Sequence, residues 1–503
     1  MVNTQSIVVS CPGKVLVAGG YLVLDRAHQG FVISTPSRFY TVVQEQEQSG
    51  TVPSPATDSN KTEERVKLSV RSPQFDDGVW EYEATKRDVE WTVAQNDSHG
   101  SSNSFVHLSL QATLQVATAL AQSTPVRDLV ITIVGSNDFY SQARDGTEPI
   151  PFAPLNCTIR NVHKTGLGSS AAMVTSLTSA LFLHWSRTPE TEVLPTGTVQ
   201  LMHNLAQYVH SLAQGKIGSG FDVSAAVYGS QVYRRFDVKC LGDLLEREDQ
   251  VAARTLVTTL SPIENDMWTA QDSSAEASPF SLPPHLTLLL ADVDAGSNTP
   301  SMVGKVMAWK KADPAGSNRV WQNLSRGNER LRDVFAALRN EWQADHAKYD
   351  AQIDELSQLP ASNWSPGPFA DSVAAILEIR ALMREMGEAS GVPIEPPSQT
   401  KLLDAVSAIE GVVGAGVPGA GGYDAIWVLC TTPTESVSGP TPLEKVERLL
   451  ASWKEMSVKP LSRNAWVEGS GSAESERGLV REKLEAVTGL AQAVERGRTQ
   501  KIE

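Results

Sequence analysis

Apolar residues in the first part of the chain gather in short runs, whereas further along they recur at helical spacing. Residues 7–10 and 15–18 read as short strands around a turn at Cys11-Pro12-Gly13-Lys14, with further strand signals at 31–34, 39–43, 65–71 and 128–134. Phe105, Leu108, Leu110, Leu114, Ala117 and Leu120 share one face of a helix predicted over 105–122. Helices are also predicted over 169–185, 198–214 and 221–229. After a charged and then Ser/Ala/Pro-rich stretch at 245–283, a strand at 285–293 opens a second set of elements. Its helices are predicted over 301–311, 318–347, 369–390, 398–409 and 442–456, with a strand at 425–430. Strands come mostly first and helices later, which predicts an α+β fold and not an alternating parallel sheet.

At 503 residues the chain is too long for one simple core. Two lobes are expected, at 1–245 and 246–467, followed by a linker and charged helical tail at 468–503. Residues 46–64 are rich in Ser, Pro, Thr, Gln and Glu and predict a disordered surface insertion.

Composition narrows the function classes. Hydrophobic residues make up 41% and charged residues 20%, as in a soluble globular protein. The formal net charge of −15 argues against a general nucleic-acid or anionic-membrane binder, although a few lysines in one cleft can still hold an anion. The four cysteines are far apart and lack C-x-x-C spacing, which points away from a zinc site and towards a reducing compartment. Residues 1–10 have neither a basic nor a long apolar region, and no apolar run is of membrane-spanning length, so a cytoplasmic location is expected.

The sharpest chemical signal is Lys164-Thr165-Gly166-Leu167-Gly168-Ser169-Ser170-Ala171-Ala172, followed at once by the apolar face of a helix. Two glycines allow close backbone approach, the serines are placed to cap the helix, and helix-start N–H groups attract an anion. An ordinary capped helix after a turn uses the same residues. No G-x-x-x-x-G-K-[ST] occurs, so the common P-loop arrangement is absent.

This loop resembles the second motif of the superfamily of galactokinase, homoserine kinase, mevalonate kinase and phosphomevalonate kinase. Ser10-Cys11-Pro12-Gly13-Lys14-Val15 with Gly19-Gly20-Tyr21 is similar to the N-terminal substrate motif of that superfamily. Gly416-Val417-Pro418-Gly419-Ala420-Gly421-Gly422-Tyr423-Asp424 is similar to its C-terminal Gly-rich motif. The three stand in the family's order and span most of the chain. Gln214-Gly215-Lys216-Ile217-Gly218-Ser219-Gly220-Phe221-Asp222 resembles the segment carrying the catalytic aspartate. The segment 292–303, Lys164 and the Gly-Gly-Tyr-Asp sequence resemble the fungal-type branch that acts on phosphomevalonate.

The resemblance implies a two-lobed small-molecule kinase with ATP and phosphomevalonate as substrates and Mg²⁺ as cofactor. Lys14 and Asp222 are then the catalytic candidates, with Asp222 either taking a proton or orienting the acceptor. Lys164, Gly166, Leu167, Gly168, Ser169, Ser170 and Ala171 are expected on the nucleotide phosphates, and Ser170 on the metal. Tyr21, Lys216, Ser219, Ser301 and Lys305 are expected on the acceptor. Gly419, Ala420, Gly421, Gly422 and Asp424 are expected to form a closing loop. The chain departs from the family at Val162-His163, where a proline is usual, and at Ser211, where mevalonate kinases place a magnesium-binding glutamate. Neither nucleic acid nor membrane is an expected partner, and the oligomeric state is open, a monomer included. Competing readings are a mevalonate kinase or other member, a non-catalytic sensor on the same fold, or a scaffold using the tail. Retention of both Lys14 and Asp222 favours catalysis over the sensor.

Overall fold

The structure is a computed structural model. It describes residues 6–46, 64–96, 102–121, 125–141, 150–189, 194–246, 251–268, 277–293, 299–434, 439–469 and 477–500. The insertion expected at 46–64 lies almost wholly outside the described residues, as does most of the linker expected after 468.

The strands are β1 (Ile7–Ala18), β2 (Gln29–Glu45), β3 (Glu64–Arg71), β4 (Val79–Arg87), β5 (Glu90–Gln95), β6 (Leu129–Gly135), β7 (Gln231–Arg234), β8 (Ala277–Pro279), β9 (Leu286–Val293), β10 (Val412–Gly416), β11 (Ala425–Thr431), β12 (Val458–Pro460), β13 (Val467–Glu468) and β14 (Val480–Glu482). The helices are α1 (Ser104–Leu120), α2 (Ser169–Trp185), α3 (Thr196–Ala213), α4 (Phe221–Tyr228), α5 (Ala253–Leu260), α6 (Thr299–Ala312), α7 (Pro314–Ala344), α8 (His346–Leu356), α9 (Pro368–Ser390), α10 (Pro397–Ser407), α11 (Pro442–Ser452) and α12 (Leu490–Thr499).

Among the described residues, nine strands form the first sheet, in the order β14-β1-β2-β6-β3-β4-β5, with β7 on the far end of β2 and β8 on β7. The second sheet has five strands, β10-β11-β9-β12 with β13 also on β9. Every residue of β9 is buried, as its unbroken apolar run requires of a central strand. Helices α1, α2 and α4 cover the first sheet with α3 packed on them, and α9 and α10 pack on β10. The mixed arrangement agrees with the α+β expectation.

Three local readings differ from the sequence expectation. The turn predicted at Cys11–Lys14 is part of one strand, Ile7–Ala18, whose register against β2 shifts between Pro12 and Lys14 and again between Leu16 and Ala18. A bulge absorbs the proline and glycine that looked like a turn. Helix α5 and strand β8 sit with the first sheet rather than the second, because α5 lies against α1 and β8 pairs with β7.

The third concerns the C-terminal segment. Val480–Glu482 pair antiparallel with Ser10, Val9 and Val8, and α12 buries Leu490, Ala493 and Val494 against Val8, Val42, Val134 and Phe152. Arg38 stitches this segment down, donating to Ser10 Oγ at 2.8 Å, to the Arg477 carbonyl at 3.1 Å and to the Gly478 carbonyl. Leu479 N–H donates to the Val227 carbonyl at 2.9 Å, which ties the same segment to the end of α4. What the sequence offered as a tail is a structural edge of the first lobe. Ending the chain before residue 477 is therefore expected to destabilise it by at least about 3 kcal/mol, from the apolar side chains uncovered alone. Urea unfolding of the truncated chain checks this, and a midpoint equal to that of the full chain would make the segment dispensable.

Candidate functional site

Lys14 is placed by β1. The strand β14 pairs only as far as Ser10, so the following stretch of β1 has an edge free for other partners. The phosphate-loop candidate uses it: Lys14 N–H donates to the Leu167 carbonyl at 2.9 Å, and Lys14 Nζ donates to the Gly166 carbonyl at 3.0 Å. Gly13 permits the contact, since a β-carbon there would lie 3.0 Å from Leu167 O and 2.9 Å from Thr35 Oγ1. Two residues on, the Leu16 carbonyl accepts from Gly419 N–H at 3.0 Å. All three sequence motifs therefore meet on one short piece of strand.

Asp222 lies in the first turn of α4, after Gly220 in the left-handed region at φ 77°. The Phe221 ring centroid is 5.4 Å from Lys14 Nζ. Burial holds the Lys14 ammonium below the ordinary lysine value, and the charge of Asp222 acts against that shift.

The loop 164–171 separates two cavities. One, of about 230 Å³, is lined by Lys14, Tyr21, Ser219 and Phe221, by Gly166 and Leu167, and by Pro418 to Gly421 and Asp424. The other, of about 250 Å³, is lined by Lys164, Ser169 and Ser170 with Phe75, Trp80, Asn103 to Val106, Tyr140 and Arg160. Its walls are aromatic and apolar with polar groups at the rim.

The serines do not cap α2. Gly168 is the capping residue, at φ 77°, and Ser169 and Ser170 form the first helical turn with no side chain capping it. The glycine supplies the left-handed conformation that neither serine adopts cheaply. Uncapped helix-start N–H groups remain as anion donors. Ser170 Oγ lies 3.1 Å from Nε2 of the buried His210, which also accepts from Gln214 Nε2 at 3.1 Å. That nitrogen is thus an acceptor, so the Ser170 hydroxyl donates to it and keeps its oxygen lone pairs for a ligand.

The Gly-rich loop is held from both lobes. Tyr21 Oη donates to the Ala420 carbonyl at 2.8 Å, and Gly422 N–H donates to the Ile394 carbonyl at 2.7 Å. Burial pushes the Tyr21 phenol up, which keeps it protonated as a donor. Tyr21 itself stands at φ 63°, a costly conformation for a non-glycine residue, next to Gly20, where a β-carbon would lie 2.2 Å from Gly419 O. Beneath the loop, the fully buried Glu395 carboxylate accepts from Arg380 at 2.7 Å and Arg384 at 2.9 Å. The loop faces the cavity of Lys14, not that of Ser169 and Ser170.

Of the residues expected on the acceptor, Tyr21 and Ser219 line the Lys14 cavity, whereas Lys216, Ser301 and Lys305 are exposed and outside its lining. Residues 294–298 of the segment 292–303 lie outside the described residues. Asp292, Thr299 and Val303 of the same segment line the cavity, with Ser141 Oγ donating to Asp292 at 2.5 Å. The second cavity's aromatic lining had no motif to announce it, because it is assembled from α1, β4 and loops far apart in sequence. Among the described residues no three His, Cys, Asp or Glu side chains form a metal cluster.

Residues 147–230 match the family model for the GHMP kinases N terminal domain, so the fold and its loop are those of a small-molecule kinase of that class. A phosphomevalonate kinase of Aspergillus fumigatus is 36% identical over 468 residues, covering 89% of this chain and 90% of the relative. A peroxisomal phosphomevalonate kinase of Arabidopsis thaliana is 35% identical, covering 84% of this chain and 90% of the relative. The crystal structure of Streptococcus pneumoniae phosphomevalonate kinase with phosphomevalonate and AMPPNP superposes with a TM-score of 0.56 at 14% identity, covering 92% of this chain and 99% of that one, a likeness of fold. The chain belongs to the phosphomevalonate kinase family.

The geometry gives Gly168 a second task. A β-carbon there would lie 2.8 Å from Lys14 Cε, on a backbone already at φ 77°. Gly168→Ala is expected to displace the lysine and lower kcat about tenfold or more, with a smaller change in nucleotide affinity. Turnover kinetics and calorimetry with an ATP analogue measure the two effects, and unchanged kcat would free Lys14 of this constraint.

Proposed function

We propose that the chain transfers the γ-phosphoryl group of ATP to the phosphate of (R)-5-phosphomevalonate, giving 5-diphosphomevalonate for isoprenoid and sterol synthesis. The observation that carries this is the seat of Lys14, which lines the first cavity while its ammonium donates to Gly166 of the loop whose Ser169 and Ser170 line the second. In this reading the nucleoside occupies the aromatic cavity, its phosphates run along the N–H groups of 166–171, and the acceptor fills the cavity of Tyr21 and Ser219.

An acceptor phosphate oxygen attacks the γ-phosphorus, a new P–O bond forms, the bond to the β–γ bridging oxygen breaks, and ADP leaves. The acceptor oxygen is already ionised near neutral pH, so positioning and charge neutralisation matter more than proton removal. Lys14 stabilises charge on the transferring group, and Asp222 orients Lys14 and the attacking oxygen. The Gly-rich loop 419–424 walls the acceptor side and excludes water. Lys164, exposed at the rim of the nucleoside cavity, is assigned to the nucleotide phosphates. A nucleotide-borne Mg²⁺ fits the donor set, with Ser170 Oγ as the protein ligand, and when bound it neutralises phosphate charge. A cytosolic setting is proposed on the four widely spaced cysteines, which lack C-x-x-C spacing. No helix among the described residues is long and apolar enough to cross a membrane.

A coupled ADP-release assay tests the acceptor. Phosphomevalonate is expected to give a kcat/KM at least about 100-fold above mevalonate, because a site built for a charged group penalises its absence. Equal rates, or activity on mevalonate alone, would overturn the assignment. Asp222→Asn is expected to keep ATP affinity and lower kcat about 100-fold or more. Near-normal turnover of that variant would remove Asp222 from the mechanism.

A further inference from the structure

The acceptor cavity is short of positive charge. Lys14 is the Lys or Arg side chain among its lining residues, and the lysines the sequence suggested, Lys216 and Lys305, stay outside. An acceptor with a carboxylate and a phosphate needs more. Behind the lining stands Arg235, one residue past β7. Its Nη1 donates to the Leu24 carbonyl at 2.7 Å, and its Nη2 to the Gly218 carbonyl at 2.6 Å and the Ile217 carbonyl at 3.3 Å. Leu24 and Ser219 both line the cavity, so one guanidinium ties the Leu24 segment to the residues just before Ser219.

The neighbours extend the pattern. Tyr233 Oη donates to the Ser219 carbonyl at 2.5 Å, and Gln207 Nε2 to the Gly220 carbonyl at 2.8 Å. The carbonyls of residues 217 to 220 are thus all turned to side chains of the scaffold, immediately before Asp222. Gly220 cannot be replaced without collision, since a β-carbon would lie 2.6 Å from the Phe236 ring. Among the described residues no carboxylate lies within ion-pair distance of Arg235. The nearby Asp25 is engaged by Lys310 at 3.4 Å and by the Ala27 N–H. The guanidinium is partly buried behind the lining, held by neutral carbonyls, with the Asp25 charge acting on it from a longer distance.

We propose that Arg235 is the positioning and specificity residue of the acceptor cavity: it fixes the spacing between Leu24 and the Ile217–Gly218 segment that leads into Ser219, and adds cationic field behind the anionic acceptor. This rests on assigning that cavity to phosphomevalonate. The carbonyls bind Arg235 in the resting protein, so it acts through the walls and its field and not as a group touching the reacting atoms. A lysine in its place keeps the charge but presents one compact ammonium where a planar fork reaches three oxygens.

The test compares wild type, Arg235→Met and Arg235→Lys, with KM for phosphomevalonate and for ATP measured separately and folding followed by urea unfolding. Arg235→Met is expected to raise the acceptor KM about 30-fold or more and leave the ATP KM within about twofold. It is also expected to flatten the fall of acceptor kcat/KM with added salt, which a purely structural role would not change. Arg235→Lys is expected to fold, keep the salt dependence and raise the acceptor KM about fivefold or more. Should Arg235→Met fail to fold, Arg235→Lys carries the test alone. A folded variant with wild-type acceptor KM overturns the proposal, and so does an equal rise in the KM for ATP. Wild-type protein that does not turn over phosphomevalonate overturns the functional reading instead.

Discussion

Everything at the site hangs on the unpaired edge of one strand. Strand β1 is held by β2 along its length, but β14 stops at Ser10 and leaves residues 14 to 16 with main-chain groups unclaimed by any sheet. Buried backbone donors and acceptors must find partners. Here the partners are loops: Lys14 N–H takes Leu167 O, and Leu16 O takes Gly419 N–H. Two hydrogen bonds two residues apart set the distance between the 164–171 loop and the Gly-rich loop, and the lysine that lines the first cavity grows from the same stretch. A β14 longer by a few residues would have completed the sheet and closed the site.

Close approach then explains the glycines. Gly13, Gly20 and Gly168 each stand where a β-carbon would come within 3.0 Å of another loop or of Lys14. Three backbones cannot converge on one lysine if side chains stand between them. The remaining rigidity comes from buried polar groups that are fully partnered, such as Glu395 between Arg380 and Arg384 under the Gly-rich loop. A buried pair of this kind adds little net stability, but in this chain it fixes the peptide at Ile394 that receives the Gly422 N–H.

The charge distribution follows the same economy. The chain carries a net charge of −15, and the cavity of Lys14 holds few cations of its own. Lysines near a motif in sequence need not line the cavity. Lys216 and Lys305 project into solvent, where long side chains are best hydrated, while Arg235 is drawn in by carbonyls that a fork-shaped cation can satisfy together.

The sequence alone determined the family, the α+β class and the three loops, because these depend on local features: glycines for close approach, a helix start for an anion, alternating and helical periodicities. Lys14, Tyr21, Ser219, Gly166 and Leu167, which share one cavity, were picked out by the same local features. Tertiary structure decided the rest. A bulged strand read as a turn because proline and glycine look alike in both settings. The segment 477–500 read as a tail because its few apolar residues acquire meaning only against Val8, Val42 and Val134. The aromatic cavity and Arg235 carried no signal, since the first is assembled from distant elements and the second is bound by backbone carbonyls, which every residue possesses and no sequence distinguishes.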